Sequence, residues 1–160
     1  MYGVFRKQFG YYIQPITVIT ACYERSLVGA NFPNEYEKCS TMLKHLSIKN
    51  FVIVDQLELD FSPGFTVLTG ETGAGKSILI DALMLALGER GDASQIRQGC
   101  ERAEISAVFD LNTVPGLADW LQENDLQGDV GTCLMRRVLD INGRSRGFIN
   151  GHTVTLQQLR

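Results

Sequence analysis

The segment from residue 70 to residue 77 constrains this chain more than any other, because it matches G-x-x-x-x-G-K-[ST] at every fixed position. The apolar and β-branched run at residues 65–69 predicts a buried strand before it, and the apolar run at residues 78–87 predicts a helix after it. A strand, a glycine-rich loop and a helix N-terminus are the three parts of a phosphate-binding cradle. They predict a site for a nucleoside triphosphate. The residues of the motif are Gly70, Glu71, Thr72, Gly73, Ala74, Gly75, Lys76 and Ser77.

Each part of the motif has a chemical reason. The glycines lack a Cβ atom, so successive backbone N–H groups can turn towards a polyphosphate, and the helix adds the positive end of its dipole. Lys76 is expected to contact the β- and γ-phosphates, and the hydroxyl of Ser77 is expected to bind Mg²⁺. The carboxylate of Glu71 would be repelled by a triphosphate, so this side chain is expected to point outward.

The charge of the chain is unevenly distributed. The formal net charge of −3 argues against indiscriminate polyanion binding by the whole chain, yet residues 136–160 carry five arginines and only one acid, Asp140. Four of these arginines flank the turn of a predicted β-hairpin and are candidates for contact with DNA phosphates. The alternative is a solvated hairpin surface without a ligand. The four residues are Arg136, Arg137, Arg144 and Arg146.

Residues 1–41 differ from the rest of the chain, because neither helical nor strand periodicity persists there. We predict that they form a disordered tail or reflect an incorrect start site, and that the structured domain covers residues 42–160. No apolar run approaches the length of about 18 residues that a membrane helix needs. The four cysteines form no C-x-x-C pair and only two histidines are present, so no zinc site is indicated.

The pattern after residue 42 predicts strands interrupted by one main helix. The strands are expected at 43–49, 51–61, 65–69 and 103–111, with a turn at Lys49–Asn50. The helix is expected to end at Gly88, and a shorter helix follows Pro115. A hairpin over residues 133–149 should turn at Asn142–Gly143 as a two-residue loop. A second turn is expected at Asn150–Gly151, and Thr155 with Gln158 forms a capping box.

The amino-acid sequences of several segments resemble the N-terminal head segment of SMC-like ATPases. These segments are residues 43–51, 65–77, 81–83 and 87–88. Within that group, Glu71–Thr72 replaces the Pro-Asn of most relatives, and this sequence together with residues 139–152 resembles the RecN family of bacterial DNA double-strand-break repair proteins. The resemblance runs from residue 42 to residue 160 and does not include residues 1–41.

The resemblance implies an α/β fold, that of a phosphate-loop NTPase of the ABC/SMC-like head type, with only its N-terminal lobe present and with mixed and antiparallel strands. It also implies a cytoplasmic, nucleoid-associated ATPase that binds ATP and Mg²⁺, acts on DNA, and sandwiches ATP between two heads of a homodimer. In the family, the Walker B and signature motifs lie beyond the equivalent of Arg160. The chain is therefore expected to hold half a site, no catalytic residue, and no activity alone.

Two further residues are candidates by their position in the resemblance. Arg97 falls where SMC-like heads carry an arginine near the nucleotide and DNA, although a solvated loop arginine is an equal alternative. Asn50, with Lys49, follows the first strand, where relatives approach the adenine and ribose. Both are candidates for contact with the nucleotide.

A stand-alone phosphate-loop kinase or GTPase is the alternative function. In that case Asp110, at the end of the run Ile105–Asp110, would hold Mg²⁺. The apolar residues of this run alternate, which favours an antiparallel strand with an exposed Asp110. The chain also lacks the N-K-x-D motif that a GTPase uses for base recognition. A third possible function is that of a non-catalytic lobe, in which bound nucleotide only holds two copies of the chain together.

Overall fold

A computed structural model describes residues 17–21, 42–62, 65–69 and 76–160. Two of the described strands, β1 (Thr17–Ala21) and β4 (Phe65–Thr69), pair antiparallel, with Thr17 opposite Thr69 and Ala21 opposite Phe65. Strand β1 lies in the segment for which the sequence predicted no regular structure. The rest of residues 1–41 lies outside the described residues, and the domain boundary at residue 42 stays a prediction.

The other strands form one antiparallel sheet of six, in the order β3-β2-β5-β6-β7-β8. All the described strand pairs are antiparallel. Among the described helices, none is long and apolar enough to cross a membrane. The strands of the sheet are β2 (Leu43–Phe51), β3 (Val54–Asp60), β5 (Arg102–Asp110), β6 (Thr132–Asp140), β7 (Ser145–Ile149) and β8 (His152–Val154); the helices are α1 (Lys76–Ala86), α2 (Leu117–Glu123) and α3 (Leu156–Leu159).

The core lies between α1 and one face of the sheet. Side chains alternate along a strand, so every second residue of β5 is buried, as the sequence predicted. Helix α1 contributes Ile78, Leu79, Ala82, Leu85 and Ala86 to the core. The main buried residues of β2 and β5 are Leu46, Ile48, Phe51, Ala103, Ile105, Ala107 and Phe109.

The C-terminal end of α1 is fixed by a Schellman motif. Gly88 has a φ of 93°, and its N–H donates to the carbonyl of Leu85 at 3.2 Å. The N–H of Glu89 donates to the carbonyl of Met84 at 3.0 Å. The Nε atom of Arg160 donates to the carbonyl of Gly88 at 3.2 Å. The predicted end of the helix at Gly88 is confirmed.

The first hairpin turns later than the sequence predicted. Strand β2 continues through Phe51, which pairs with Val54, so the turn consists of Val52 and Ile53 rather than Lys49–Asn50. Phe51 is fully buried, and this burial keeps it in the strand. Asn50 and Val52 both have a φ of 52°, a backbone conformation that a β-branched residue such as Val52 rarely adopts.

The hairpin between β6 and β7 has a three-residue loop rather than the predicted two-residue loop. Asp140 N–H donates to the carbonyl of Arg144 at 2.9 Å, and Gly143 N–H donates to the carbonyl of Asp140 at 2.9 Å. Gly143, with a φ of 77°, supplies the left-handed residue that such loops require. The carboxylate of Asp140 accepts hydrogen bonds from the N–H and Nδ2 of Asn142, which stabilise this longer loop.

The two remaining local predictions are confirmed. Asn150 and Gly151 have φ values of 47° and 87° and form a two-residue turn between β7 and β8, as a type I′ hairpin requires. Thr155 and Gln158 form a reciprocal capping box at the start of α3.

Candidate nucleotide-binding site

The predicted phosphate loop lies between two described elements. Strand β4 ends at Thr69 and α1 begins at Lys76, which confirms the strand and the helix predicted on either side of the loop. Ser77 is exposed in the first turn of α1, where its hydroxyl is open to a ligand. The loop residues Gly70, Glu71, Thr72, Gly73, Ala74 and Gly75 lie outside the described residues, and so does the side chain of Lys76.

Helix α1 is positioned so that its N-terminus can act on a ligand. Its buried face packs on β5 and β6, and its C-terminal end is tied down by Gly88 and Arg160. The positive end of the helix dipole therefore lies at the end of the predicted loop, where a polyphosphate is favoured.

Asn50 and Arg97 lie next to each other. The N–H of Arg97 donates to the carbonyl of Asn50 at 2.9 Å, and the N–H of Val52 donates to the carbonyl of Gln95 at 2.7 Å. The segment after α1 is thereby attached to the end of β2. The sequence predicted both residues near the nucleotide from their separate positions, and the structure shows that they form one unit.

The side chain of Arg97 forms an ion pair with a neighbouring carboxylate. Its Nη1 atom lies 3.4 Å from the Oδ1 atom of Asp55, and 40% of the side chain is exposed. An exposed pair of this kind contributes little to stability and can exchange its carboxylate for a phosphate. Sequence reasoning missed Asp55, because its proximity to Arg97 depends on the attachment of the two segments.

The four arginines that were predicted to contact DNA are not equivalent. Arg137 is only 1% exposed, since adjacent residues of β6 face opposite sides of the sheet and Arg137 faces the core. Its Nη2 atom donates to the carbonyl of Glu89 at 3.5 Å, while Nε and Nη1 have no hydrogen-bond partner among the described residues. Burial lowers the pKa of this guanidinium. The prediction that Arg137 faces DNA is thus corrected: it lies beside the negative end of α1.

The other three arginines reach the surface. Arg144 and Arg146 are exposed. The guanidinium of Arg136 lies 4.3 Å from the centroid of the Phe148 ring, and its Nη1 atom is 3.6 Å from the Oε1 atom of Glu104. These side chains are accessible to an anionic partner.

Among the described residues, the carboxylate of Asp110 forms contacts that stabilise the fold. Its Oδ2 atom pairs with the Nζ atom of Lys44 at 2.9 Å, and its Oδ1 atom accepts hydrogen bonds from the N–H and Nδ2 of Asn112 at 2.9 Å. These hydrogen bonds, first that of Lys44 and then those of Asn112, hold the pKa of Asp110 below its ordinary value. No group of three or more metal-binding side chains occurs among the described residues. Because Lys44 and Asn112 engage both carboxylate oxygens of Asp110, the kinase or GTPase alternative, in which Asp110 holds Mg²⁺, is not favoured.

Replacing Asp110 by asparagine should leave the affinity for Mg²⁺ and ATP unchanged and lower the free energy of unfolding at neutral pH. The pKa of Asp110 is depressed by folding, so its stabilising contribution is present above the unfolded pKa and is lost as pH falls through the folded pKa. The stability difference between wild type and Asp110→Asn should consequently shrink below about pH 4. Urea titrations at several pH values, with calorimetric ATP titrations, measure both effects. Loss of ATP binding in Asp110→Asn would support the alternative function.

Comparison with known proteins identifies the family of this domain. A family model described as an AAA domain matches residues 45–158. The chain belongs to the AAA domain family. It is 51% identical over 119 residues to DNA repair protein RecN of Vibrio cholerae, and this match includes 74% of the chain but 21% of the relative. The predicted resemblance to RecN is confirmed.

Solved structures confirm the fold. A structure from work on ATP-driven dimerization and DNA-stimulated activation of SMC ATPases matches with a TM-score of 0.58 and 23% identity over 74% of this chain and 75% of that one. The SMC head domain from Thermotoga maritima matches with a TM-score of 0.53 and 22% identity over 75% and 41% of the two chains. The AAA domain of this chain therefore has the fold of the N-terminal lobe of an SMC-like head, as predicted. Its family is one of nucleotide-binding ATPases.

Proposed function

We propose that this chain is the ATP-binding part of a RecN-type ATPase that acts in the recombinational repair of DNA double-strand breaks. The observation that carries the proposal is the complete phosphate-binding motif between β4 and α1, in a chain 51% identical over 119 residues to a RecN protein. The chain spans 21% of the length of that relative, so the repair activity belongs to a larger assembly of which this domain is one part.

In the proposed site, ATP binds the loop from Gly70 to Ser77. Lys76 contacts the β- and γ-phosphates, and the Ser77 hydroxyl binds Mg²⁺. In this proposal Asn50 and Arg97 lie next to the bound nucleotide. The partly exposed guanidinium of Arg97 can then leave Asp55 and bind a phosphate of the nucleotide instead.

Hydrolysis in this proposal needs residues from outside the chain. The water-positioning carboxylate and the groups that stabilise the transition state are supplied by other segments and by the second head of a homodimer. ATP-driven dimerization of the structurally similar SMC ATPases supports this arrangement. In this proposal the chain alone binds nucleotide without hydrolysing it, and residues 42–160 belong to the N-terminal lobe of the head domain.

DNA is the proposed macromolecular partner, in the cytoplasm at the nucleoid. Arg144 and Arg146 are exposed and Arg136 is partly exposed, so all three can approach a phosphate backbone. Arg137 is excluded from this set because it is buried.

Survival after DNA breakage tests the proposed role. Cells that lack the gene encoding this chain should survive ionising radiation less well than their parent. The unaltered gene and the surface substitution Arg90→Ala should both restore survival, whereas Lys76→Ala should not. Equal survival of the deletion strain and its parent would contradict a role in break repair, even if the chain binds ATP.

A further inference from the structure

The face of the sheet opposite α1, here called the outer face, is partly exposed over β5, β6 and β7 in the described part of the chain, although Val138 on this face is only 6% exposed. Strand register places its side chains in rows, because residues directly opposite each other on neighbouring strands point to the same side. One row contains Ser47, Ser106, Arg136, Phe148 and Thr153, and the next contains Lys49, Glu104, Val138 and Arg146.

An aromatic ring and a guanidinium lie together at the centre of the first row. Arg136 lies over the Phe148 ring, with its Cζ atom 4.3 Å from the ring centroid, and Glu104 holds the guanidinium from the other side at 3.6 Å. Both planar groups are partly exposed. Guanidinium planes and aromatic rings are both surfaces on which unpaired nucleobases stack.

Basic side chains predominate at the end of the outer face next to the β6–β7 turn. They face two carboxylates, Glu104 and Asp140, which leaves a net charge of +3 in a chain whose formal net charge is −3. Hydrogen bonds from the N–H and Nδ2 of Asn142 hold the pKa of Asp140 below its ordinary value. The basic residues are Lys49, Arg102, Arg136, Arg144 and Arg146; Arg136 is partly exposed and the others are exposed.

The opposite end of the same face is acidic. Glu58 and Asp60 occupy β3, where Asp60 pairs with His45, and Asp110 pairs with Lys44. The outer face is therefore polarised, with its positive end beside the β6–β7 turn and with Arg136 and Phe148 at the border of that end. Apolar side chains continue the surface between the charges, since Leu134 is 37% exposed and lies on β6 beside Arg136.

We infer that the positive end of the outer face binds single-stranded DNA, with bases stacked on Arg136 and Phe148 and phosphates on Lys49, Arg102, Arg144 and Arg146. Flat aromatic groups on a sheet, surrounded by cations, suit unpaired bases, whose faces are free to stack. In a duplex the base faces are stacked on one another, so duplex DNA could contact only the basic side chains, through its phosphates. This inference rests on the proposed function, since it assigns a place and a strand type to the DNA contact proposed above.

Fluorescence anisotropy of the 160-residue chain tests the inference, with a labelled oligonucleotide of about 16 nucleotides as a single strand and as a duplex. The single strand should bind more tightly. Phe148→Leu, which keeps apolar bulk and removes the ring, should weaken single-strand binding roughly fivefold or more and leave duplex binding unchanged. Arg144→Gln with Arg146→Gln should weaken both, and reduce the slope of log K against log salt by about one per arginine.

Two further variants separate binding from folding. Thr153→Glu adds a negative charge opposite Phe148 at an exposed position, and it should weaken single-strand binding without lowering Tm. Arg90→Gln removes an exposed charge from the loop after α1 and should have little effect. Equal affinity for the two DNA forms, or unchanged single-strand binding in both Phe148→Leu and Thr153→Glu, would overturn the inference. ATP titrations and the survival test would still stand, so these results would leave the proposed function in place.

Discussion

Replacing Lys76 by alanine should weaken ATP binding by about 1.5–3 kcal/mol, which corresponds to a roughly 10- to 150-fold rise in Kd. Lys76 is the only cationic residue of the motif, and a hydrogen bond to a charged phosphate is about twice as strong as a neutral one. Lys76 is the first residue of α1, so its backbone lies at the positive end of the helix dipole. Isothermal titration of both proteins with ATP and Mg²⁺ measures the difference.

Two comparisons make this titration specific. Arg90→Ala removes a cation from the exposed loop beyond the other end of α1, and its Kd should match that of wild type. Ser77→Ala should lower the affinity measured with Mg²⁺ more than the affinity measured with EDTA, because the hydroxyl is proposed to bind the metal rather than the phosphates. Equal affinities of wild type and Lys76→Ala would rule out the proposed site.

The sequence predicted the parts of the fold that depend on local physics. The motif from Gly70 to Ser77 combines fixed residue types with an order of strand and helix that β4 and α1 confirm. The capping box of Thr155 and the end of α1 at Gly88 need only residues within one turn of each other. Alternation in β5 predicted its buried face because that strand has one side in the core.

The features that the sequence did not predict depend on tertiary contacts. Arg136 and Arg137 are chemically identical neighbours, and only the register of β6 in the sheet decides which of them is buried. A buried guanidinium is tolerated at Arg137 because the negative end of α1 and the carbonyl of Glu89 lie beside it. The contact between Asn50 and Arg97 joins segments that are far apart in the sequence.

Substitution of Phe51 by alanine should reduce the free energy of unfolding by about 3–5 kcal/mol, the typical loss when a buried phenylalanine is truncated. Phe51 is fully buried, pairs with Val54, and forms an isolated bridge with Ile96, so it packs where the first hairpin meets the segment after α1. The cavity left by the ring cannot close easily, because that segment is also held by the hydrogen bond from Val52 to Gln95. Urea unfolding followed by circular dichroism measures the loss.

The neighbouring substitution Val52→Gly is the matched control, and its effect should be small or of opposite sign. Val52 adopts a φ of 52° and is 37% exposed, so it buries less area than the fully buried Phe51 and adds backbone strain. Glycine removes the cost of the left-handed backbone conformation, about 1–2 kcal/mol, and adds an entropic cost of about 0.5–1 kcal/mol, for a net gain of up to about 1.5 kcal/mol. Phe51→Ala should also weaken ATP binding, because Asn50 and Arg97 are held together across this position, whereas Val52→Gly should not. A destabilisation of Val52→Gly as large as that of Phe51→Ala would show that the turn itself, rather than the buried ring, holds the two segments together.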